Sequence, residues 1–236
     1  MRSMRRGRSE EVGDGTHPET MKGKEVLLML NANPATEDMI RDMAREARSG
    51  IRRIFLHWTG GHYGHNEEAY HICIDRDGTV YVNCKSFLSF KAHTWMHNTG
   101  AIGIALLCGY DAHCWAPAGK DASLLDVAYE NDHLARTDCA VIDYGEEPPT
   151  RKQMEAMAKI VALLCQELCL PLAEDTVMTH CEIAFVDGYG PGDGDPDMRW
   201  DLWFLPEPNT LGGALYPGGL LLRAKAQYYL DTAEEA

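Results

Sequence analysis

The sequence predicts an α/β fold in which helices flank a mixed central β-sheet. Two apolar runs that each end in histidine, residues 51–57 and 177–180, are typical of short buried strands that deliver an imidazole to the rim of a sheet. Between them lie a hairpin pattern and an apolar pattern with helical spacing. This order of elements favours a sheet with helices packed on it, with a metal site at the sheet rim.

The first part of the chain is predicted as a tail, a strand and a helix. Residues 1–23 are polar and Gly-rich and are expected to be disordered. Residues 25–30 are predicted to form a strand. Thr36 then caps a helix with its apolar residues on one face, and Gly50 ends that helix before the strand of residues 51–57.

The middle of the chain is predicted to supply the rest of the sheet. A hairpin is predicted for residues 69–74 and 79–82, around the turn of residues 75–78. A further apolar strand is predicted for residues 101–107. The last core strand is expected at residues 177–180.

The second half of the chain is expected to hold a long helix and two less regular segments. Thr150 and Gln153 form a capping box that begins a helix ending before Pro171. The domain is predicted to span residues 24–208, with an acidic insert at 109–148. Residues 209–236 follow as a C-terminal linker, up to Gly219, and a short helix at 220–230.

Composition excludes several classes of function. The formal net charge of -14 makes nucleic acid an unexpected partner. No run approaches the roughly 20 apolar residues of a membrane span, so membrane insertion is not expected. The basic start has no apolar segment behind it and does not resemble a secretory signal, which predicts cytoplasmic synthesis. The oligomeric state is not predicted.

Three residues form the predicted zinc site: His57, His180 and Asp195. Two imidazoles and one carboxylate are a common hydrolytic zinc set in which the fourth position is left for water. The chain lacks the His-Glu-x-x-His helix of many zinc proteases. Other acidic residues stand near Asp195, so the choice of the third ligand stays open between it and Asp187, Asp193 and Asp197.

The same residues carry a resemblance to a known family. The segments 55–60, 69–80, 92–93, 98–104, 179–184, 194–196 and 200–201 follow one another in the order found in the zinc-dependent N-acetylmuramoyl-L-alanine amidases. That family includes phage lysozyme-type amidases and peptidoglycan recognition proteins. The resemblance implies a Zn2+ cofactor and a peptidoglycan or muropeptide substrate.

The resemblance also implies catalytic roles for Tyr70 and His93. A phenol can donate a hydrogen bond to a developing oxyanion, and an imidazole in the cleft can do the same. The recycling amidases of the family place a glutamate where this chain has Ala105, so the chain resembles the branch that uses tyrosine. One departure is Asp193, which stands where many members carry lysine or threonine.

Four further residues are predicted to contact substrate. Trp58, His62 and His65 lie in the loop that follows the first histidine, and Asn98 follows His93. A local zinc site of His57, His62 and His65 would lack a fourth ligand.

The expected function is a zinc amidase that cleaves between N-acetylmuramic acid and L-alanine. The favoured setting is a phage or prophage endolysin, made in the cytoplasm and acting on the cell wall after release. Two alternatives stay open: a cytoplasmic muropeptide-recycling amidase, and a non-catalytic peptidoglycan-binding or interaction protein.

Overall fold

The computed structural model describes residues 34–115, 141–188, 199–206 and 215–234. In chain order its elements are α1 (Glu37–Ala47), β1 (Arg53–Trp58), β2 (Ile72–Ile74), β3 (Val80–Val82), β4 (Ala101–Leu106), β5 (His113–Trp115), β6 (Val141–Asp143), α2 (Arg151–Leu168), β7 (Val177–Thr179), α3 (His180–Val186), β8 (Phe204–Pro206), β9 (Leu215–Pro217) and α4 (Gly218–Glu234).

Among the described residues, the central sheet has five strands in the order β3-β2-β4-β1-β7. β1 pairs in parallel with β4 on one side and β7 on the other, whereas β2 and β3 form an antiparallel hairpin. The predicted α/β class with a mixed, helix-flanked sheet is therefore confirmed. β1 is buried from Ile54 to Trp58, as expected for a central parallel strand.

Local sequence explains where α1 and α2 begin. The Thr36 side chain accepts a hydrogen bond from the Met39 N–H at the start of α1. The predicted capping box of α2 is present, because Thr150 and Gln153 exchange hydrogen bonds between side chain and backbone. α2 packs against both α1 and α4, and its apolar face joins the main core.

Two predicted strand boundaries were wrong. Tyr70 lies in a turn two residues before β2, with its N–H directed to the Glu67 carbonyl oxygen. β7 ends at Thr179, and His180 is the first residue of α3, because Thr179 and Glu182 form a second capping box. The pattern Thr-His-Cys-Glu at residues 179–182 is typical of this kind of helix start.

The C-terminal segment also differs from its predicted structure. Residues 215–217, expected in a linker, form β9 and pair with β8. The helix is longer than predicted, Gly218–Glu234, and it buries Leu222 and Ala226 in the main core. The ends of the predicted insert form the antiparallel pair of β5 and β6.

Several predictions lie outside the described residues: the tail of residues 1–23, the strand at 25–30, and the interior of the insert. The domain boundaries stay a prediction. Among the described helices, none combines the length and the apolar character that crossing a membrane requires.

Candidate metal centre

His57 is fixed by the sheet. It is the penultimate residue of β1, which has a neighbouring strand on each side, and its side chain has no solvent exposure. Its two ring nitrogens face different groups. Nδ1 lies 3.0 Å from Oδ2 of Asp201, and Nε2 lies 3.2 Å from the Thr94 hydroxyl oxygen.

His180 approaches the same carboxylate from α3. Its Nδ1 lies 2.9 Å from Oδ1 of Asp201, and its ring centroid is 4.7 Å from that of His57. His57, His180 and Asp201 can each present a ligand atom within 4.8 Å of the others, and they are the one such group of three among the described residues. Two imidazole nitrogens and a carboxylate are a donor set that fits zinc.

The ionisation of this group suits a cation. Burial, more than any other effect, lowers the pKa of His57, so its imidazole is neutral. Burial alone would raise the pKa of Asp201, but its electrostatic interactions and hydrogen bonds with the His180 and His57 rings hold that pKa well below its ordinary value. Neutral imidazole and ionised carboxylate are the forms that bind zinc.

His93 extends the cluster away from Asp201. Its ring centroid is 5.3 Å from that of His57, and its Nδ1 lies 2.9 Å from the Thr94 hydroxyl oxygen. Burial lowers the pKa of His93, with smaller contributions from neighbouring imidazoles. Its Nε2 is buried and has no hydrogen-bond partner among the described atoms. A buried polar atom without a partner costs free energy, so Nε2 is a candidate to contact a ligand.

The backbone around His93 leaves its ring little freedom. A Cβ at Gly103 would lie 2.6 Å from the ring, so the glycine allows the imidazole to lie directly against β4. The Asn98 side-chain oxygen accepts hydrogen bonds from the N–H groups of His93 and Thr94. Asn98, predicted to contact substrate, therefore supports the loop that carries His93.

His71 is a further buried imidazole that sequence reasoning did not single out. Its Nδ1 accepts a hydrogen bond from the Gly103 N–H at 3.0 Å, and its Nε2 lies 2.8 Å from the Ser89 carbonyl oxygen. Burial lowers the pKa of His71 to about 4. Its ring centroid is 5.5 Å from that of His93, so four imidazoles form a continuous row from His180 to His71.

Tyr70 lies beside His57. The centroids of the Tyr70 and His57 rings are 5.1 Å apart, and Tyr70 also stacks on His93. Burial raises the pKa of Tyr70, so the phenol keeps its proton. Ala105 lies opposite His57 in the register of β1 and β4 and brings no carboxylate to the site.

The residues predicted to contact substrate occupy different surroundings. Trp58 is buried in the main core, edge-on to Trp200 and Tyr144, and this burial does not support a contact with substrate. His62 is exposed, stacks on Tyr110 and lies 3.1 Å from Glu147. His65 is more exposed still, and its nearest ionic neighbour is Glu67.

The third ligand is where sequence reasoning was incomplete. Asp195, the predicted ligand, lies outside the described residues, as do Asp193 and Asp197. Among the described residues, the carboxylate that contacts both imidazoles is that of Asp201. In the sequence, Asp201 stands out only as the last residue of a segment that resembles the family. Its neighbours Trp200, Leu202 and Trp203 are apolar, and an acidic residue in such a run is a signal of a buried carboxylate with a partner.

Comparisons with known proteins identify the family of this chain. The family model described as N-acetylmuramoyl-L-alanine amidase matches residues 46–196, more than half of the chain and most of the site but not Asp201. Among solved structures, the chain is similar to Drosophila peptidoglycan recognition protein SA, with 18% sequence identity and a TM-score of 0.31. That match covers 55% of this chain and 66% of the other, slightly less than two thirds of its length. A comparison with curated proteins gave no match. On the strength of the family match, the chain belongs to the N-acetylmuramoyl-L-alanine amidase family.

Proposed function

We propose that this chain is a zinc hydrolase that cleaves the amide between the lactyl group of N-acetylmuramic acid and the L-alanine of the stem peptide. The convergence of His57, His180 and Asp201 beside Tyr70 carries the proposal. Membership of the amidase family supports the substrate class.

The zinc ion would be held by His57, His180 and one carboxylate. Asp201 is the candidate whose position is described, and Asp195 is the candidate implied by the family resemblance. Zinc supplies a Lewis acid for a carbonyl oxygen and makes water a stronger nucleophile near neutral pH.

Two residues of the chain would act on the substrate directly. The Tyr70 phenol, kept protonated by burial, would donate a hydrogen bond to the oxygen that gains negative charge in the transition state. The Nε2 of His93, buried and without a partner, would make a second contact to the substrate. Donors that are already in place cost no reorganisation when charge develops, which is why such contacts accelerate acyl transfer.

The proposal includes a setting, that of a phage or prophage endolysin acting on the cell wall. Ala105 supports it, because the recycling amidases of the family carry a glutamate at that position. Intact sacculi and soluble muropeptides distinguish the two roles. An endolysin should release stem peptides from sacculi, and a recycling enzyme should act on the soluble fragments alone.

Metal content and product analysis test the function together. Full-length protein should contain one zinc per chain, and mass spectrometry of digested sacculi should find free stem peptides that begin with L-alanine. His57→Ala and His180→Ala should each lose zinc and activity. His113→Ala, at an exposed histidine beside Asp111, is the matched control and should keep both. A protein that binds muropeptides without cleaving them would instead be a recognition protein.

The identity of the third ligand needs its own comparison. Asp201→Ala and Asp195→Ala should be compared for zinc content after the same purification. Because the described geometry places Asp201 on both imidazoles, its loss should lower zinc occupancy. Should Asp195→Ala alone lose zinc, Asp201 would hold the imidazoles without being a ligand.

A further inference from the structure

A chain of side-chain contacts connects Asp201 to the buried nitrogen of His93. It runs from the Asp201 carboxylate to Nδ1 of His57 and from Nε2 of His57 to the Thr94 hydroxyl. It continues from that hydroxyl to Nδ1 of His93 and ends at Nε2 of His93, which has no partner among the described atoms. Thr94 is buried, so its hydroxyl has these two imidazoles and no bulk water as neighbours.

Without a metal, the hydrogen atoms of this chain have one arrangement that satisfies every contact. An ionised carboxylate only accepts hydrogen bonds, so Nδ1 of His57 must carry the proton. In a neutral ring, Nε2 of His57 is then an acceptor, and the Thr94 hydroxyl donates to it. The hydroxyl oxygen accepts in turn from Nδ1–H of His93. Nε2 of His93 is left as an acceptor.

With a metal on Nδ1 of His57, every donor and acceptor in the chain must exchange roles. A nitrogen that binds a metal cannot carry a proton, so the proton of His57 lies on Nε2 and is donated to Thr94. The Thr94 hydroxyl then donates to Nδ1 of His93, and the proton of His93 lies on Nε2. The three groups hold three protons in both states, so no proton is gained or lost.

We propose that Thr94 couples metal binding at His57 to the tautomer of His93, so that Nε2 of His93 becomes a hydrogen-bond donor when the metal is bound. This inference rests on the proposed metal site. Thr94 is a positioning residue, since it acts on the substrate only through His93. The consequence is that the donor suited to a developing oxyanion is present when the metal centre is complete.

The surroundings of His93 keep its ring from escaping the coupling by rotating. The ring lies against the backbone of β4, in the space that a side chain at position 103 would fill if it were not glycine. The N–H groups of both His93 and Thr94 are held by the Asn98 side chain. We expect Nδ1 of His93 to stay at the Thr94 hydroxyl in both states, because a ring flip would replace that hydrogen-bonding nitrogen by a carbon.

His71 is an internal control that the fold itself provides. Its Nδ1 accepts from a backbone N–H and its Nε2 faces a backbone carbonyl, and neither backbone group can reverse its role. Its tautomer should therefore be the same with and without metal, although its ring lies next to that of His93.

Nitrogen-15 NMR of the histidine rings in the full-length protein measures the coupling without any assay of activity. Spectra are recorded after chelator treatment and after addition of zinc alone. In the wild-type protein, the protonated nitrogen of His93 should change from Nδ1 to Nε2, while His71 keeps its proton on Nε2. A His93 tautomer that is the same in both states, while zinc binds, would overturn the coupling and leave the proposed function standing. Failure of the protein to bind zinc would instead overturn both.

Variants of Thr94 identify the residue that transmits the effect. Thr94→Val has nearly the same shape without a hydroxyl, so zinc should no longer reverse His93, and the zinc dissociation constant should rise roughly 10- to 100-fold, as for other groups that orient a metal-binding histidine. Thr94→Ser keeps the hydroxyl and should restore the reversal. A reversal that persists in Thr94→Val would exclude Thr94 as the connection. Because the wild-type comparison needs no substitution, a variant that fails to fold does not prevent the test.

Discussion

The two imidazoles of the candidate metal centre are held in place by different means. His57 lies near the end of a six-residue strand that is hydrogen-bonded to neighbours on both sides. His180 follows a three-residue strand, β7, which in the described part of the chain is at the edge of the sheet and pairs with β1 alone. The sheet therefore fixes the first histidine, and the second needs support from outside the sheet.

That support comes from the C-terminal helix. Arg223 of α4 makes two hydrogen bonds of 2.8 Å to the carboxylate of Glu182, and a third of 2.9 Å to the carbonyl oxygen of Val177. Glu182 is the residue that caps α3 at its first turn. Arg223 thus binds the last strand and the first helical turn on either side of His180.

The start of α4 is shaped to approach both ligand-bearing segments. A Cβ at Gly218 would lie 1.9 Å from the Leu202 carbonyl oxygen, next to Asp201. A Cβ at Gly219 would lie 2.1 Å from the Glu182 carboxylate. Glycine is present at both positions because the Leu202 carbonyl oxygen and the Glu182 carboxylate occupy the space that a Cβ would fill.

Removing the support of His180 should have the largest effect on the stability of the fold. Arg223→Gln leaves the buried Glu182 carboxylate without its cation, and breaking a buried ion pair costs about 3–5 kcal/mol. The expected result is a large fall in the free energy of unfolding, measured in urea, together with weaker zinc binding. Arg223→Lys, which keeps the charge, should recover part of both.

The matched control is Arg45→Gln, which removes an arginine from the Glu167 carboxylate that joins α1 to α2. Arg45 is about half exposed, so its loss should lower the free energy of unfolding far less than Arg223→Gln does and should leave zinc binding unchanged. Should Arg223→Gln bind zinc as tightly as the wild-type protein, His180 would be held without α4.

This comparison also explains what the sequence could predict. The strand of His57 and the capping box of α2 are patterns within a few residues, and both were recognised. The support of His180 comes from a residue 41 positions away from Glu182, and Asp201 is 144 positions from His57. Contacts at such separations are created by the fold and leave no local pattern. The capping box at Thr179 is also a local pattern, but the apolar run before it favours a strand that continues to His180.

On the His57 side, the next largest effect is expected from the Tyr70 hydroxyl. Tyr70→Phe keeps the ring that packs on His57 and His93 and removes only the donor. The loss of one transition-state hydrogen bond should slow turnover about a hundredfold, or about 3 kcal/mol in the barrier. Zinc content and the free energy of unfolding should barely change, because the ring is kept. Kinetics on soluble muropeptides should place the loss in kcat rather than in KM.

Digestion by Tyr70→Phe at the wild-type rate would show that Tyr70 is a packed aromatic residue. His93 would then be the remaining candidate for the donor. The difference between the two histidines would then be larger, because every contact with substrate on the His57 side would depend on the hydrogen bonds that connect His57, Thr94 and His93.

The smallest effect is expected from acid, and it also falls on the His57 side. The pKa of His71 is lowered by burial to about 4 in the folded protein, against about 6.5 when unfolded. Its neutral form stabilises the fold fully above pH 6.5, and that stabilisation is lost as the pH falls from 6.5 towards 4, because the unfolded chain takes up the proton first. Between pH 7.5 and 5.5 the loss should be about 1 kcal/mol.

His71→Gln removes the titrating group. In urea unfolding of the metal-free protein, the free energy of unfolding should therefore fall with decreasing pH by about this much less in His71→Gln than in the wild-type protein. His113→Gln, at an exposed histidine, should fall as the wild-type protein does. Equal falls in His71→Gln and the wild-type protein would mean that the acid sensitivity of the metal-free fold lies elsewhere in the row of imidazoles.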